Sequence, residues 1–178
     1  MFYLHPNLEV RKTSNRGMGL FTSKFIPKGT LIHISDGIIY TRNEGKKVLN
    51  GELEYCIDMD DNHIFCPKNY HNMTPDWYIN HSCEPNSGVG NEFNILVAMN
   101  DINENEEITF DYAMTEFDPT YSLLCACGTK SCRKIITGND WKIPVLQKRY
   151  RGYFSKAIEK KITNLNTEQH MHLQMEEE

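Results

Sequence analysis

Three cysteines lie close together near the end of the chain, at Cys125, Cys127 and Cys132. Thiolates at this tight spacing, next to Gly128, favour a metal site, and a structural zinc site is usually tetrahedral with four ligands. The first residues of the chain form no apolar core of a secretory signal, so the six cysteines are expected to be reduced or metal-bound. The sequence therefore predicts a zinc site whose fourth ligand comes from elsewhere in the chain.

The composition is typical of one soluble globular domain with a small appendage. The 178 residues are 39% hydrophobic and 24% charged, and no apolar run approaches the roughly 20 residues of a membrane span. The net charge of −5 argues against a general nucleic-acid binder, because phosphate binding draws on clustered Lys and Arg. We therefore expect a cytoplasmic or nuclear protein without membrane insertion or direct specific nucleic-acid binding, while delivery into a host cell stays open.

Acidic residues gather in two places, where they could attract a basic peptide or could simply be solvated loop charges. The first group is Glu52, Glu54, Asp58, Asp60 and Asp61. The second group is Glu104, Glu106, Glu107, Asp111, Glu116 and Asp118. The sequence leaves both interpretations open.

Short β-branched or aromatic segments, separated by Gly, Pro, Asn and Asp, predict a fold of many short strands. These segments are 31–34, 37–40, 55–58 and 94–98. Segments 55–58 and 63–66 flank an acidic turn and predict a β-hairpin. Cys56 and Cys66 lie on its two strands, where we expect buried small apolar residues rather than metal ligands.

The texture of the sequence changes after Gly138. Apolar residues at helical spacing predict a helix from Asp140, capped by Asn139 or Asp140, that packs on the core. Gly152 is expected to interrupt it before a second helical stretch with Lys156, Lys160 and Lys161. The apolar residues of the two stretches are Trp141, Val145, Leu146, Tyr150, Tyr153, Phe154, Ile158 and Ile162. The polar tail from Thr163 is expected to fray.

Two further segments precede the cysteine trio: Asn-His-Ser-Cys-Glu-Pro-Asn at 80–86 and Ile-Thr-Phe-Asp-Tyr at 108–112. In order and spacing, the three segments together resemble the SET-domain protein lysine methyltransferases with a post-SET zinc motif, over roughly residues 9 to 138. The resemblance implies a mainly β (α+β) SET fold of several short-stranded sheets, with a C-terminal pseudoknot, a post-SET zinc knuckle and a C-terminal helical extension. Few residues precede Glu9 and no pre-SET cysteine cluster is present, so the chain is similar to the short stand-alone SET proteins of bacteria and viruses.

The resemblance supplies the missing zinc ligand, which is Cys83 of the 80–86 segment. Four thiolates leave no open coordination position, so this zinc would be structural rather than hydrolytic. The metal would tie the tail of the catalytic core to its middle. We expect the loop between Phe117 and Cys125 to be disordered without it.

The resemblance also implies S-adenosylmethionine as methyl donor, with S-adenosylhomocysteine as product. A lone Gly-x-Gly is a weak signal that often marks a turn, but SET enzymes contact the cofactor with a glycine pair of this kind. Gly17, Met18 and Gly19 would therefore bind it through main-chain atoms, together with Asn80 and His81. The aromatic residue Tyr70, near Asn72, matches a segment that lines the cofactor pocket in the family. Trp77 stands where many members have an Arg near the cofactor carboxylate, and the sequence does not show what replaces that charge.

Four aromatic residues match the channel through which the substrate lysine reaches the donor. Tyr112 matches the essential tyrosine of the family, Tyr55 a second catalytic tyrosine and Phe117 an aromatic residue that helps to close the channel. Phe110 occupies a position that varies between Phe and Tyr in the family, and the Phe favours di- or trimethylation over monomethylation. Aromatic walls exclude water and favour the methylammonium cation through their ring quadrupoles.

We therefore expect a SET-type protein lysine N-methyltransferase that acts on a lysine of a basic, histone-like protein or peptide. The domains would be a catalytic domain at 9–118, a zinc motif at 119–138 and a helical extension at 139–178, in a monomer or homodimer. Two alternatives stay open. One is a catalytically silent SET module that binds a protein partner, and the other is a methyltransferase for a non-histone protein.

Overall fold

Short strands dominate the fold of this chain. The computed structural model describes residues 1–49, 53 and 55–176. The strands are β1 (Tyr3–Leu4), β2 (Leu8–Lys12), β3 (Met18–Thr22), β4 (Leu31–Ile34), β5 (Gly37–Thr41), β6 (Ile57–Asp58), β7 (His63–Pro67), β8 (Asn80–His81), β9 (Ser87–Val89), β10 (Ile95–Ala98), β11 (Glu107–Phe110), β12 (Ser122–Leu124) and β13 (Ile135–Thr137). The α-helices are α1 (Arg42–Val48), α2 (Pro144–Arg149) and α3 (Lys156–Glu176), and the 3-10 helices are Pro75–Tyr78, Tyr112–Met114 and Asp140–Lys142.

Two four-stranded sheets enclose an apolar core and position the 80–86 and 108–112 segments. Their strand orders are β1-β4-β10-β9 and β2-β3-β11-β8. Strand β8 pairs in parallel with β11, with Asn80 opposite Thr109 and His81 opposite Phe110. The 80–86 and 108–112 segments, which are far apart in the sequence, therefore lie side by side. The mainly β architecture predicted from the sequence is confirmed.

A third sheet, β5-β7-β6, contains the predicted hairpin. Ile57 faces Phe65 and Asp58 faces Ile64, and this register continues to Cys56 opposite Cys66. The structure joins these two cysteines in a disulfide, with their Cα atoms 4.3 Å apart. The expectation of two reduced, merely apolar cysteines was therefore wrong for this pair, because cross-strand register places the thiols face to face.

Helix α1 was not predicted, although its start carries a clear sequence signal. The Thr41 side chain accepts a hydrogen bond from the Glu44 backbone N–H, and the Glu44 side chain accepts one from the Thr41 backbone. This reciprocal capping box satisfies two donors at the helix start.

The single helix predicted from Asp140 is in fact two short ones. The 3-10 turn Asp140–Lys142 ends at Ile143, whose backbone is extended, and α2 begins at Pro144. Proline restricts the preceding residue to extended conformations and suits the first turn of a helix, which explains the break. Gly152 interrupts the segment as predicted, with a φ of +82°. The predicted fraying from Thr163 was wrong, since α3 continues to residue 176.

The C-terminal extension packs on the domain and forms a second apolar cluster, as predicted. Tyr150 and Ile158 are fully buried there, and Trp141, Leu146 and Phe154 are nearly so. Strand β12 pairs with β13 in a two-stranded sheet that flanks the cysteine trio. Within the part of the chain that the structure describes, no helix combines the length and apolar character needed to cross a membrane.

Candidate functional site

Tyr112 lies where β11 ends beside β8. The Asp111 side chain accepts a hydrogen bond from the Ala113 N–H at 3.0 Å and so caps the short turn that carries Tyr112. The Tyr112 hydroxyl donates to the Ile79 carbonyl at 3.2 Å. Burial raises the pKa of Tyr112 to about 12, so the phenol is neutral at physiological pH and acts as a hydrogen-bond donor.

His81 supports the same turn from the neighbouring strand. Its Nδ1 accepts the backbone N–H of Tyr112 at 3.2 Å, which leaves the proton on Nε2, 3.3 Å from the Cys83 sulfur. Burial lowers the pKa of His81 to about 4, although Asp111 opposes this shift. A neutral imidazole thus links the tyrosine to the cysteine segment.

Two cavities meet at this tyrosine. The first, here called the large cavity, measures about 750 Å³ and reaches from residues 15–18 to 121–126. The second, the small cavity, measures about 90 Å³ and reaches from His33 to Glu116. The residues that line both are Tyr55, Trp77, Ile79, Tyr112 and Tyr121. A wall of mostly aromatic side chains, which includes Tyr112, therefore separates the two spaces.

The large cavity contains most of the residues predicted to bind a cofactor. Gly17, Met18, Asn80 and His81 line it. Gly19 does not line it but lies directly behind it, and a Cβ there would come within 2.5 Å of the Glu107 carboxylate. That close approach explains the second glycine of the pair.

Tyr70 lies away from the large cavity. Its ring packs edge-on against Tyr55 at 5.9 Å, and its hydroxyl lies 3.1 Å from the Cys56 sulfur. The predicted cofactor contact therefore finds no counterpart in the lining of the large cavity. The structure instead places Tyr70 behind a wall residue, where it supports Tyr55.

Sequence reasoning missed the two charged residues that organise the large cavity. The Glu107 carboxylate accepts a hydrogen bond from Asn80 Nδ2 at 2.8 Å and forms an ion pair with Arg16. Asn80 Nδ2 also donates to the Met18 carbonyl at 2.9 Å, and Arg16 donates to the His81 carbonyl at 3.0 Å. Arg16 thus places a guanidinium at this cavity. It supplies a positive charge that is otherwise missing, because Trp77 stands where many SET proteins have an arginine. In the sequence, the feature that could have marked Arg16 is its position directly before the glycine pair.

The small cavity contains Phe110 but not Phe117. Phe110 lies 5.0 Å from the Tyr112 ring, as expected for a channel residue. Phe117 points into the cluster beneath the extension, where the ammonium of Lys161 lies 4.5 Å from its ring centroid. Tyr121 occupies the wall position instead, and only its aromatic character could have marked it in the sequence.

Four free thiols converge beside the large cavity. The sulfur atoms of Cys83, Cys125, Cys127 and Cys132 all lie within 4.8 Å of one another. A tetrahedral zinc site with Zn–S bonds of 2.3 Å has sulfurs about 3.8 Å apart. The Cys83 and Cys125 sulfurs are 3.9 Å apart, so the donor set fits a metal ion. The predicted fourth ligand is in place, and Cys125 also lines the large cavity.

A buried ionic cluster, here called the Asp111 node, connects the cysteine segment to the tyrosine turn. Both oxygens of Asp111 accept hydrogen bonds from the Arg133 guanidinium, each at 2.7 Å. Arg133 also pairs with Asp140 at 2.8 Å, and the Tyr150 hydroxyl donates to Asp111 at 3.0 Å. Burial opposes the charge of Arg133, but Asp111 outweighs it and raises the pKa of Arg133. Three segments of the chain are thus fixed around one carboxylate, next to Tyr112.

Comparison with known proteins agrees with this geometry. The family model "SET domain" matches residues 17–113, more than half of the chain. The chain belongs to the SET domain family. The match begins at the glycine pair and ends just after Tyr112, so it contains four of the five residues that line both cavities.

Relatives of this SET domain are much longer proteins. Histone-lysine N-methyltransferase ash1 of Drosophila melanogaster is 32% identical over 153 residues, which are 79% of this chain but 7% of ash1. The H3 lysine-9 specific histone-lysine N-methyltransferase of Schizosaccharomyces pombe is 30% identical over 163 residues, covering 74% of this chain and 33% of that protein. The chain therefore spans a minor part of these relatives.

Solved structures show the same fold. The methyltransferase domain of human SETMAR superposes with a TM-score of 0.58 at 26% identity, covering 74% of this chain and 58% of that one. KRYPTONITE, in complex with mCHG DNA and SAH, gives a TM-score of 0.56 at 25% identity, covering 74% of this chain and 29% of that one.

Proposed function

We propose that this SET domain is an S-adenosylmethionine-dependent protein lysine N-methyltransferase. The observation that carries the proposal is that two separate cavities share one wall, which contains Tyr112. Methyl transfer to an amine is an in-line displacement, so donor and acceptor must approach the same point from opposite sides. The SAH bound in KRYPTONITE and the activity named for the relatives support the same assignment.

The large cavity suits the methyl donor. Bound there, S-adenosylmethionine would supply an activated methyl group on its sulfonium sulfur. Asn80, held by Glu107 and the Met18 carbonyl, offers a fixed amide, and Arg16 offers the cationic partner for a carboxylate. The exposed backbone at Gly17 allows close approach of a ligand, since its φ is +72° and no atom lies near its missing side chain.

The small cavity suits the lysine side chain. Its aromatic walls exclude water and stabilise a methylammonium cation through the faces of the rings. Tyr112 points its hydroxyl to the Ile79 carbonyl, and the two together present oxygen atoms at the junction of the cavities. Phe110 brings no hydroxyl that would hold a water beside the amine, so we propose di- or trimethylation as the outcome.

The four converging thiols are proposed to hold a structural Zn²⁺. With four sulfur ligands, the ion would offer no open position for catalysis and would act by fixing the chain. Cys125 and Ala126 line the large cavity, so the metal would shape the donor site.

The substrate is proposed to be a basic, histone-like protein. Asp60 and Asp61 are exposed on the hairpin turn, next to the third sheet that supplies Ile57 to the small cavity. These charges would attract a lysine-rich segment. Glu52 and Glu54 of the same acidic group lie outside the residues that the structure describes.

Transfer of tritiated methyl groups tests the function. Wild-type protein is incubated with labelled S-adenosylmethionine and either purified core histones or cell lysate, beside Tyr112→Phe. Label on histones is expected, with a loss of about 100-fold or more in Tyr112→Phe. Label on a lysate protein alone would indicate a non-histone substrate. No transfer by the wild type in either assay would contradict the proposal and favour a binding module.

A further inference from the structure

The small cavity contains a carboxylate that has no partner. Asp76 is 5% exposed, and neither of its carboxylate oxygens has a hydrogen bond within the part of the chain that the structure describes. It lies in the 3-10 helix Pro75–Tyr78, directly before Trp77 of the shared wall, and lines the small cavity. Burying an ionisable group without a partner is costly, so such a group is informative where it occurs.

The chain itself offers no cation to Asp76. Among the described residues that line the small cavity, none is Lys or Arg. His33 on β4 is the nearest candidate, but burial lowers its pKa to about 4, although the Asp76 carboxylate opposes this shift, and its Nδ1 lies 3.0 Å from the Ser35 hydroxyl. The histidine is therefore neutral at physiological pH. No residue in the described lining of the small cavity therefore gives Asp76 a hydrogen bond or a permanent positive charge.

The environment of the small cavity favours the neutral form of Glu116. Glu116 lines the cavity from the other side, and burial, together with the nearby Asp58, raises its pKa to about 8. The remaining titratable groups that face the cavity are the phenols of Tyr55, Tyr112 and Tyr121 and the Asp76 carboxylate itself. In such surroundings, a carboxylate and an ammonium brought together are less stable as an ion pair than in water.

We propose that Asp76 receives the ammonium group of the substrate lysine and accepts its proton before methyl transfer. This inference rests on the proposed function, because it assigns the lysine to the small cavity. The reaction needs a neutral amine, whereas a lysine in water is protonated at neutral pH. An unpartnered carboxylate in an aromatic-lined cavity attracts the ammonium and then removes the charge from both groups by proton transfer.

The step balances in protons and electrons. The lysine ammonium transfers one proton to the Asp76 carboxylate, which gives a neutral amine and a carboxylic acid. The amine lone pair then forms the new N–C bond, while the S–CH₃ bond breaks and leaves its electron pair on sulfur. A methylammonium cation and a neutral thioether result, and Asp76 returns its proton to solvent after the product leaves. Each further methylation repeats the cycle.

The test compares Asp76→Asn with wild type over pH 6.5 to 10, using labelled S-adenosylmethionine and core histones. Asparagine keeps the shape of the side chain but cannot accept the proton. At pH 7.5 we expect kcat to fall about 30-fold or more, and the deficit to shrink as the pH approaches the lysine pKa of about 10.4. Affinity for S-adenosylmethionine is expected to stay within about twofold, because Asp76 does not line the large cavity.

The matched control is Asp101→Asn, at an exposed carboxylate whose oxygen accepts the Lys28 N–H, a bond that asparagine can retain. It should match wild type at every pH. If the wild type transfers methyl groups and Asp76→Asn equals it across the pH range, the inference is wrong and the proposed function stands. If the wild type transfers nothing, the proposed function fails first.

Chemical rescue separates proton transfer from a packing role. Asp76→Ala leaves a space that formate can enter, and formate is expected to restore at least about a tenth of the activity in this variant. Acetamide, which has a similar shape but is not a base, should not restore it. Equal recovery with both additives would overturn the proposal, because volume alone would then explain the loss. If Asp76→Asn fails to fold, the rescue experiment with Asp76→Ala still tests the proposal.

Discussion

The two cavities on either side of Tyr112 differ in how their charged groups are neutralised. In the large cavity, Arg16, Glu107 and Asn80 already bond to one another, so a ligand meets a finished arrangement of donors and acceptors. In the small cavity, Asp76 has no hydrogen-bond partner among the described residues and so matches a ligand that brings a positive charge. Charged groups that are already paired with one another thus suit a large ligand with many contacts, whereas an unpaired charged group selects a ligand by its charge.

The largest effect is expected from the metal site that borders only the large cavity. Cys83→Ser, or treatment with a chelator, removes one or all of the ties that hold Cys125 and Ala126 in place. We expect the melting temperature to fall by about 10 °C and affinity for S-adenosylmethionine by about 100-fold or more. Metal analysis and calorimetric binding measure both effects.

Ser131→Ala is the control for this experiment, since it lies next to Cys132 but offers no metal ligand in the thiol cluster. It should retain one zinc per chain. A metal-free protein with unchanged affinity for the donor would show that the large cavity is shaped without the thiols.

The next effect concerns the small cavity and the number of methyl groups transferred. Phe110→Tyr would place a hydroxyl beside Tyr112, whose ring is 5.0 Å away, and so restrict the space for a methylated amine. We expect the trimethylated fraction to fall about tenfold, a difference of about 1.4 kcal/mol, with monomethyl product accumulating. Mass spectrometry of histone peptides measures the distribution.

Phe25→Tyr, at an exposed phenylalanine, is the matched control and should leave the distribution unchanged. Wild-type protein that stops at one methyl group would contradict the role of Phe110.

A smaller effect is expected from the pairing inside the large cavity. Glu107→Gln keeps a hydrogen-bond acceptor for Asn80 but removes the ion pair with Arg16. We expect Kd for S-adenosylmethionine to rise about tenfold, while kcat at saturating donor changes by less than about threefold. Glu106→Gln, at the exposed residue directly before the same strand, should bind as wild type does. A kcat loss without a change in Kd would show that Glu107 acts on the chemistry.

The smallest effect is on stability and tests the environment of the small cavity. The pKa of Glu116 is raised to about 8 in the folded protein from an ordinary 4.5, so the folded state holds a proton that the unfolded state releases above about pH 4.5. Stability is therefore lost as pH rises from about 4.5 towards 8. Glu116→Gln removes this penalty, and the amide can still donate to Asp58.

We expect Glu116→Gln to melt about 3 °C above wild type at pH 8 and close to it at pH 4.5. Thermal unfolding at a series of pH values measures the difference. A difference that does not grow with pH would show that Glu116 is ionised in the folded protein.

Local patterns carried much of the prediction. The hairpin around Asp60, the interruption at Gly152 and the strands at Leu31–Ile34 and Ile95–Ala98 follow from alternation and turn residues, which act within a few residues. The Pro144 break was readable but was outweighed by helical spacing on both sides of it.

The features that were not predicted depend on contacts between distant segments, which no local sequence pattern reports. The Cys56–Cys66 disulfide depends on strand register, and the Glu107–Arg16 ion pair joins residues 91 positions apart. Tyr121 lies directly before β12, which pairs with the distant strand β13, and it reaches the shared wall through the tertiary fold. The role of Asp76 could not be predicted either, because an acidic residue at this position is typical of the start of a helical turn.

The Asp111 node has a consequence for how this polypeptide can be shortened or can diverge. Deleting everything after residue 139 would take away Asp140 and Tyr150, so the Arg133 charge would lose a counter-ion and the Asp111 oxygen a donor. The last quarter of the polypeptide thus stabilises the structure around Tyr112 and cannot be removed without losing these contacts. In sequences that diverge from this one, Asp111, Arg133, Asp140 and Tyr150 should change together or all be retained.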